Sequence, residues 1–234
     1  MDRIDKKILD ILQVNGRMSN QELSSKLASL STTHFCDASP NIRILEGSIY
    51  RLAGPSSWVG RAFTVLSEGD ILPGIRAIEL ASAGDVLIIS SNTQHAVMGE
   101  ILSTVAKNKG IVAIVIDGYC RDIDAIRNLS LPFYAKGTHP VAGPKNKLGQ
   151  LNQSVVCGNI SIEPQDIIFA DDSGLIVMSE VEFCDLLPIA TKIKNKEIIA
   201  LEKLKKNMQL SELCNLHEHT ENIKNNIPSV FKWL

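Results

Sequence analysis

The possible folds of this chain are constrained most by two continuous apolar runs on either side of one amphipathic segment. Residues 86–90 (VLIIS) and 111–117 (IVAIVID) have few polar side chains, as is typical of strands buried on both faces. Between them, residues 96–110 have the spacing of an amphipathic helix that ends at Gly110. A strand, a helix and a second strand in this order predict an α/β sheet covered by helices.

The segments on both sides extend this sheet. Residues 58–66 predict a strand and residues 75–82 a helix. Further strands are expected at FYAKG, SVVCGNI, DIIFADD and GLIVMS, with almost no helix between them and with a hairpin turn at the sequence DDSG. Residues 180–208 predict a long helix whose lysines form a solvated face. The whole pattern predicts a mixed α/β layered domain.

The amino-terminal residues have a helical pattern rather than alternating strands and helices. Residues 2–13 carry apolar side chains at helical spacing, and Gly16 ends this pattern. Ser19 and Glu22 then form the capping box of a second helix that runs through Leu27. We therefore expect a helix-turn-helix-like appendage at 1–29, a catalytic domain at 30–210 and a carboxy-terminal tail at 211–234.

Composition excludes several classes of protein. The formal charge of -2 gives no whole-chain field for nucleic acid or an anionic membrane. No apolar run approaches the roughly 20 residues that span a bilayer, and the charged start MDRIDKKILDIL is unlike a signal peptide. The five cysteines include no CxxC pair, which favours reduced thiols and a cytoplasmic protein.

Candidate chemistry follows the two buried strands, because ligands of α/β sheets gather at the carboxyl ends of strands. The first strand leads to the loop 91–95 and a helix start around Gly99, where unpaired backbone N–H groups favour an anion. The second leads through an expected turn at Gly118–Cys120 to Arg121 and Asp122. Asp122 could simply cap the helix of residues 123–129, with Arg121 solvated. Alternatively, Asp122 binds Mg²⁺, which takes few protein ligands, while Arg121 faces an anionic substrate.

Several motifs carry a resemblance to a known family. They are GRAFTV, AIELASAGDVLII, HAVMGEIL, IVAIVIDGYCRD, FYAKG and CGNISIEPQDIIFADDSGLIVM. From about Leu30 to Leu210 the chain resembles the family of regulator of ribonuclease activity A and 4-hydroxy-4-methyl-2-oxoglutarate aldolase (RraA-like). The resemblance implies a swivelling β/β/α domain that assembles as a trimer or a dimer of trimers, with active sites between subunits.

The same resemblance implies roles for particular residues. Asp122 would ligate Mg²⁺ or Mn²⁺ directly, and Arg121 would contact a 2-keto acid and stabilise its enolate. Glu100 would act on the metal through water, as would Glu197 from a neighbouring subunit. The pyruvyl carboxylate would bind the backbone amides of Gly99, Glu100, Ile101 and Leu102.

These roles together describe a class II pyruvate aldolase, a metal-dependent carbon–carbon lyase. It would cleave 4-hydroxy-2-oxo dicarboxylic acids to pyruvate and decarboxylate oxaloacetate as a side reaction. The divalent ion would act as the electron sink, and a fixed guanidinium would stabilise the developing charge, so that no lysine Schiff base is needed. The alternative is a non-catalytic regulator that binds a ribonuclease or helicase, and the presence of Asp122 favours catalysis.

The chain departs from the family's pattern at three places. Ser91-Asn92-Thr93 replaces a glycine-rich loop, Pro164-Gln165-Asp166 replaces PGD, and Ala125 stands where an acidic residue often follows the RD pair, with Asp124 one residue earlier. We expect these departures to affect contacts with the distal end of the substrate more than the metal site.

The sequence DRIDKKILDILQVNGRMSNQEL resembles the first helices of leucine-responsive and asparagine-regulator DNA-binding domains. Those domains read DNA with a third helix that carries basic residues. Residues 29–41, where that helix should lie, contain no Lys or Arg. The sequence therefore favours an appendage that packs on the core or at a subunit contact, and a ligand-sensing DNA-binding regulator remains a second alternative.

Other side chains offer weaker signals. His95 stands beside the expected site, where it could contact substrate or simply be a polar loop residue, and His139, beside Pro140, gives a weaker signal of a site role. His217 and His219 diverge on a helix, so we expect a solvated tail there rather than a metal site. Cys120 adjoins the site, but nothing near it in the sequence marks an activated nucleophile.

Overall fold

The computed structural model describes residues 18–45, 47–91 and 93–233. The described helices are α1 (Asn20–Leu27), α2 (Thr32–Ala38), α3 (Leu72–Leu80), α4 (Glu100–Asn108), α5 (Ile123–Arg127), α6 (Glu180–Lys205) and α7 (Leu216–Lys224), with a 3₁₀ turn at Leu210–Glu212. The strands are β1 (Arg43–Ile44), β2 (Tyr50–Ala53), β3 (Trp58–Leu66), β4 (Asp85–Ser90), β5 (Ala96–Met98), β6 (Ala113–Cys120), β7 (Phe133–Thr138), β8 (Gln150–Leu151), β9 (Val155–Cys157), β10 (Ile160–Ile162), β11 (Ile167–Asp171) and β12 (Gly174–Met178). The helix expected at residues 2–13 lies outside the described residues.

A mixed sheet organises the molecule. Its main path is β1-β12-β11-β3-β4-β6-β7-β2, with β5 paired to β6 and β8 paired to β3. The central neighbours β3, β4, β6 and β7 run parallel, whereas β1, β2, β11 and β12 pair antiparallel. The strands β9 and β10 form a separate hairpin. This arrangement confirms the expected mixed α/β fold with helices at both ends of the chain.

Both faces of the sheet are covered, which explains the continuous apolar runs. Along β6, Ile114 and Ile116 pack in the cluster that includes side chains of α3 and α4, and Ala113 and Val115 pack in the cluster that includes β9. Alternate residues of a strand point to opposite faces, so burial on both sides requires an apolar residue at every position.

The structure corrects two predicted boundaries. Residues 96–98, expected as the first turn of a helix, form β5, and residues 118–120, expected as a turn, extend β6. These two segments pair with each other, with Ala96 opposite Tyr119 and Met98 opposite Cys120. Because each segment supplies the other's hydrogen-bond partners, tertiary pairing overrides the local helical pattern.

The amino-terminal helices are built into the core. The capping box of Ser19 and Glu22 at the start of α1 is confirmed. In α2, the backbone N and Oγ1 of Thr32 donate to Asp171 at 2.7 and 2.8 Å. Phe35 is fully buried, with its ring centroid 6.1 Å from that of Phe169 and 6.0 Å from that of Phe183. The helix that would have to enter a DNA groove is therefore part of the hydrophobic core.

The carboxy-terminal tail is more structured than the sequence indicated. Cys214 forms a β-bridge with Trp233, which brings the last residues back to the start of α7. On α7, Nδ1 of His219 is 2.8 Å from Oγ of Ser229, and its ring packs on Phe231, whereas His217 is exposed. Within the described part of the chain, no helix combines the length and apolar character needed to cross a bilayer.

Candidate active site

The segments around Gly99 and Arg121 meet where β5 and β6 end side by side. The backbone N of Arg121 donates to the carbonyl of Met98 at 3.0 Å, which continues the β5–β6 ladder to its last residue. Beyond this point β5 leads through Gly99 into α4, and β6 leads through Asp122 into α5. The sheet thus brings together two sequence segments that were expected to share a site.

Asp122 adopts an unusual backbone conformation and does not cap its own helix. It lies in the left-handed region at φ 58° and ψ 36°, which is uncommon for non-glycine residues and in which Asn, Asp and His are enriched. Its carbonyl accepts from Ala125 and Ile126, but its side chain makes no capping hydrogen bond to α5. Instead, Oδ2 of Asp122 accepts from the backbone N of Glu100 at 3.3 Å. Asp122 is thus the N-cap residue of α5 through its backbone, whereas its side chain does not cap that helix, and its role in metal binding stays a prediction.

Arg121 places a positive charge beside this carboxylate. Its Nε lies 3.3 Å from Oδ2 of Asp122, and the two side chains are 43% and 40% exposed. Among the described residues, the terminal nitrogens of Arg121 have no hydrogen-bond partner. A guanidinium with both terminal nitrogens free can receive an anionic ligand in the bidentate manner that arginine favours.

Gly99 allows the two charged groups to approach α4. A Cβ atom at this position would lie 2.6 Å from Oδ2 of Asp122 and 3.1 Å from Cγ of Arg121. The backbone at Gly99 is extended, with φ -151°, so its conformation does not require glycine. The requirement is space, because any side chain here would displace the acidic and basic groups.

The start of α4 supplies backbone donors to the same place. The first N–H groups of a helix have no partner within the helix. In α4 these belong to Glu100, Ile101 and Leu102, and the N–H of Glu100 is the one that contacts Asp122. Ile101 is 76% exposed, so solvent and small ligands reach this turn. A free carboxylate would be stabilised here by the remaining N–H groups and the helix dipole.

The residues present fit a hydrated divalent cation held by one carboxylate. Oδ1 of Asp122 has no partner among the described residues, because the contacts with Glu100 and Arg121 both use Oδ2. In the same part of the chain, no group of three or more His, Cys, Asp or Glu side chains is arranged to enclose a metal. Mg²⁺ keeps most of its water ligands and needs only one or two protein carboxylates, so this donor set suits it.

Glu197 lies on α6, where it contacts a residue of the amino-terminal region. Its Oε2 is 2.9 Å from Nε2 of His34, a largely buried histidine. The Nδ1 atom of His34 accepts from the backbone N of Ser31 at 2.8 Å, so the neutral ring carries its proton on Nε2 and donates to Glu197. No contact within the chain joins Glu197 to Arg121 or Asp122 in the described residues, and its role in a neighbouring subunit stays a prediction.

Two histidines and one tyrosine form a further group at this edge of the sheet. The ring centroid of His139 lies 6.3 Å from that of His95 and 6.4 Å from that of Tyr119. The backbone N of His139 donates to the carbonyl of Cys120 at 2.8 Å, directly before Arg121. Sequence reasoning singled out both histidines but missed Tyr119, because the segment 118–120 was read as a turn rather than as the end of a strand.

Cys120 is buried beneath this edge. Burial raises the pKa of its thiol to about 12, with a smaller contribution in the same direction from the negative charge of Asp122. A thiol with this pKa is almost entirely protonated near neutral pH. Cys120 therefore packs in the core beneath the site.

The chain is similar in sequence and in fold to known proteins. A family model described as "RraA-like: Aldolase/RraA" matches residues 32–177, which is more than half of the chain. The chain belongs to the RraA-like family. The chain is 32% identical over 180 residues to a protein of Halalkalibacterium halodurans that carries the provisional name 4-hydroxy-4-methyl-2-oxoglutarate aldolase, covering 75% of this chain and 86% of that protein.

Solved structures of RraA-like proteins share the fold. The RNA-processing inhibitor RraA from Thermus thermophilus superposes with a TM-score of 0.60 at 24% identity, covering 64% of this chain and 92% of that one. An unusual member of the RNase ES inhibitor RraA family from Streptomyces coelicolor gives a TM-score of 0.69 at 24% identity, covering 80% and 100%. At this identity the likeness establishes the fold alone.

A second family model overlaps the start of the RraA-like region. The AsnC-type helix-turn-helix model matches residues 1–33, so it ends at the second residue of α2. The RraA-like model begins at Thr32, the first residue of the same helix. The position of the third helix is thus occupied by a helix that packs in the RraA-like core.

Proposed function

We propose that this protein is a divalent-metal-dependent lyase of the class II pyruvate aldolase type. Its substrates would be 4-hydroxy-2-oxo dicarboxylic acids, cleaved to pyruvate, with decarboxylation of oxaloacetate as a side activity. The observation that carries this proposal is the direction of the Asp122 carboxylate, which turns away from α5 and toward the start of α4 beside Arg121. The names of relatives such as the Halalkalibacterium halodurans protein support the same activity.

Two sets of groups in this chain would bind a 2-oxo acid, one holding its carboxylate and the other facing its keto oxygen. The N–H groups of Gly99, Ile101 and Leu102 at the start of α4 would bind the carboxylate next to the keto group, beside the Glu100 N–H that contacts Asp122. The guanidinium of Arg121 would face the keto oxygen. Cleavage of the carbon–carbon bond leaves negative charge on that oxygen, and a cation fixed in place before reaction stabilises the charge without reorganisation.

Asp122 would hold Mg²⁺ or Mn²⁺ directly through its free Oδ1, with Glu100 acting through water. When bound, the ion supplies Lewis-acid polarisation of the keto group. Glu197 would complete the site from a neighbouring subunit in a trimer or a dimer of trimers. Because Glu197 is 51% exposed in its side chain, it is accessible to a second copy of the chain.

The test is pyruvate release from oxaloacetate and from 4-hydroxy-4-methyl-2-oxoglutarate, measured with Mg²⁺ and with EDTA. We expect turnover with the metal and its loss with EDTA. Equal rates under the two conditions would contradict the metal-dependent lyase. Size-exclusion chromatography with light scattering, run on the same sample, tests the oligomer independently of activity.

A non-catalytic regulator of a ribonuclease or helicase is the second candidate. Exposed apolar side chains on α6 favour it, because patches of this kind mark protein contacts; they include Ile189, Ile198, Ile199 and Leu201. No turnover with either acid, together with inhibition of a ribonuclease, would favour this candidate over the lyase. A DNA-binding role is less well supported, because the exposed residues of α2 are Thr33 and Asp37 and neither is a basic residue.

A further inference from the structure

The group formed by His95, His139 and Tyr119 has no role in the chemistry described so far. The rings of His95 and His139 are nearly perpendicular, at 87°, and that of Tyr119 meets His139 at 66°. His95 is exposed, and His139 and Tyr119 are half-buried. The three residues come from the loop before β5, the end of β7 and the end of β6, so only the folded sheet brings them together.

Strand geometry places this group next to Arg121. The backbone N of His139 donates to the carbonyl of Cys120 at 2.8 Å, and Tyr119 is the second residue before Arg121, so this group and Arg121 lie at the same end of β6. Two residues of a strand span about 7 Å. The backbone positions of Tyr119 and Arg121 are thus about 7 Å apart, a separation that a short dicarboxylic acid can span.

The imidazoles present donors that nothing else uses. In the described part of the chain, Nε2 of His139 and both ring nitrogens of His95 have no hydrogen-bond partner. Nδ1 of His139 lies 3.2 Å from the backbone N of Val141 and 3.4 Å from its carbonyl oxygen. In the tautomer in which Nδ1 accepts from the N–H, Nε2 carries the proton of the neutral ring and can donate to a ligand.

The nearby lysine does not compete for this role. Lys136, on β7, forms an ion pair with the buried carboxylate of Asp117. The second oxygen of that carboxylate accepts from the backbone N of Gly158 at 2.8 Å, so the pair fastens the β9–β10 hairpin to β6. With Lys136 engaged in this contact, the available donors of the group are the two imidazoles and the Tyr119 hydroxyl.

We propose that His95 and His139 form the subsite for the distal carboxylate of the substrate, with Tyr119 packing against the His139 ring. This inference rests on the proposed function, which places the 2-oxo acid end of the same molecule at Arg121 and α4. It assigns the preference for dicarboxylic over monocarboxylic 2-oxo acids to these two side chains. The subsite discriminates because an N–H paired with a carboxylate is left without a partner when a methyl group replaces that carboxylate.

The experiment compares two acids that bind but lack the 4-hydroxyl needed for retro-aldol cleavage. 2-Oxoglutarate carries the distal carboxylate, and 2-oxopentanoate has the same chain length with a methyl group in its place. Dissociation constants are measured by isothermal titration calorimetry with Mg²⁺ for the wild type, His139→Asn, the double variant with His95→Asn, and His139→Gln. In His139→Asn, Oδ1 can still accept from Val141 while the Nε2 donor is lost; His139→Gln keeps a donor near the Nε2 position.

We expect the wild type to bind 2-oxoglutarate at least about tenfold more tightly than 2-oxopentanoate, a preference of about 1.4 kcal/mol. The double Asn variant should reduce this ratio to within about twofold by weakening 2-oxoglutarate alone. His139→Gln should restore part of the ratio lost in His139→Asn. His217→Gln, on the exposed face of α7, is the matched control and should leave both constants unchanged.

An unchanged ratio in the double variant, or equal weakening of both acids, would overturn the subsite, since a purely structural role would affect both ligands alike. If the wild type still releases pyruvate from hydroxy-oxo acids in that case, the proposed function survives and only this inference fails. If the wild type binds neither acid and releases no pyruvate, the proposed function fails and the subsite fails with it.

Discussion

The carboxylate of Asp122 accepts a hydrogen bond from the backbone N–H of Glu100 at 3.3 Å rather than capping the helix that Asp122 begins. This contact joins the ends of two neighbouring strands and fixes the carboxylate beside the Arg121 guanidinium. Backbone strain at a non-glycine residue in the left-handed region persists where the surroundings require it, and such residues concentrate at functional sites. The first two predictions follow from this relationship.

Replacing Asp122 by Asn should abolish catalysis without unfolding the protein. Asparagine tolerates the left-handed conformation, so the turn should persist, while the charge that would hold the cation is lost. We expect kcat/KM for oxaloacetate to fall at least about 100-fold. Asp124→Asn is the matched control, because among the described residues the exposed side chain of Asp124 pairs only with Arg127. Comparable losses in the two variants would count against a metal role for Asp122.

Gly99→Ala should impair activity through crowding. The new Cβ would lie 2.6 Å from Oδ2 of Asp122, so the carboxylate and the guanidinium must move, and a displacement near 1 Å can cost roughly 100-fold in rate. The extended backbone at Gly99 accepts alanine, so the thermal midpoint should change little.

The control for Gly99→Ala is Gly74→Ala in α3. A Cβ there meets its nearest atoms at 3.7 Å, an ordinary contact, and alanine favours a helix by up to about 1 kcal/mol over glycine. Wild-type kcat/KM in Gly99→Ala, measured beside this control, would show that the close approach has no catalytic consequence.

Asp70 should make the stability of the protein depend on acid pH. Its buried carboxylate accepts from the backbone N–H groups of Leu72, Asn146 and Lys147 at 2.8, 2.6 and 2.9 Å. Burial acts to raise the pKa of Asp70, but these donors outweigh it and the pKa is lowered from 3.8. The carboxylate therefore contributes stability above pH 3.8, and this contribution is lost as pH falls further and the folded form takes up the proton.

Asp70→Asn should lower the free energy of unfolding by about 2 kcal/mol at neutral pH, because an amide cannot accept from all three donors. The difference in free energy of unfolding between wild type and variant should shrink as the pH falls below 3.8. Urea denaturation between pH 3 and 7 measures both effects. A constant difference between the two proteins across this range would contradict the linkage.

Phe35→Ala tests whether α2 belongs to the RraA-like core. Phe35 is fully buried between Phe169 and Phe183, so its truncation should cost about 3–5 kcal/mol. Thermal denaturation followed by circular dichroism should show the main transition shifted to lower temperature. A separate minor transition, with the main one unchanged, would mean that α2 unfolds independently, as a detachable DNA-reading helix would.

Much of the candidate site could be placed from the sequence because it follows buried strands. The run at 111–117 predicts a strand from its apolar pattern alone, and Arg121 and Asp122 then fall at its carboxyl end. The Ser19 and Glu22 capping box was predictable for a similar reason, since it is a contact within one turn of helix. By contrast, the assignment of residues 96–98 to a helix was wrong, because their hydrogen-bond partners lie at Tyr119 and Cys120.

By itself the sequence determined the order of strands and helices, the position of the Arg121–Asp122 pair after a strand, and the absence of basic residues from the third-helix segment. Only the tertiary structure decided that Asp122 faces Glu100, that Phe35 holds α2 in the core, and that His95 meets His139. The physical reason is that periodicity records how deeply each residue is buried along its own element. It carries no information about which distant segment supplies the partner, and side-chain direction at a turn depends on that partner.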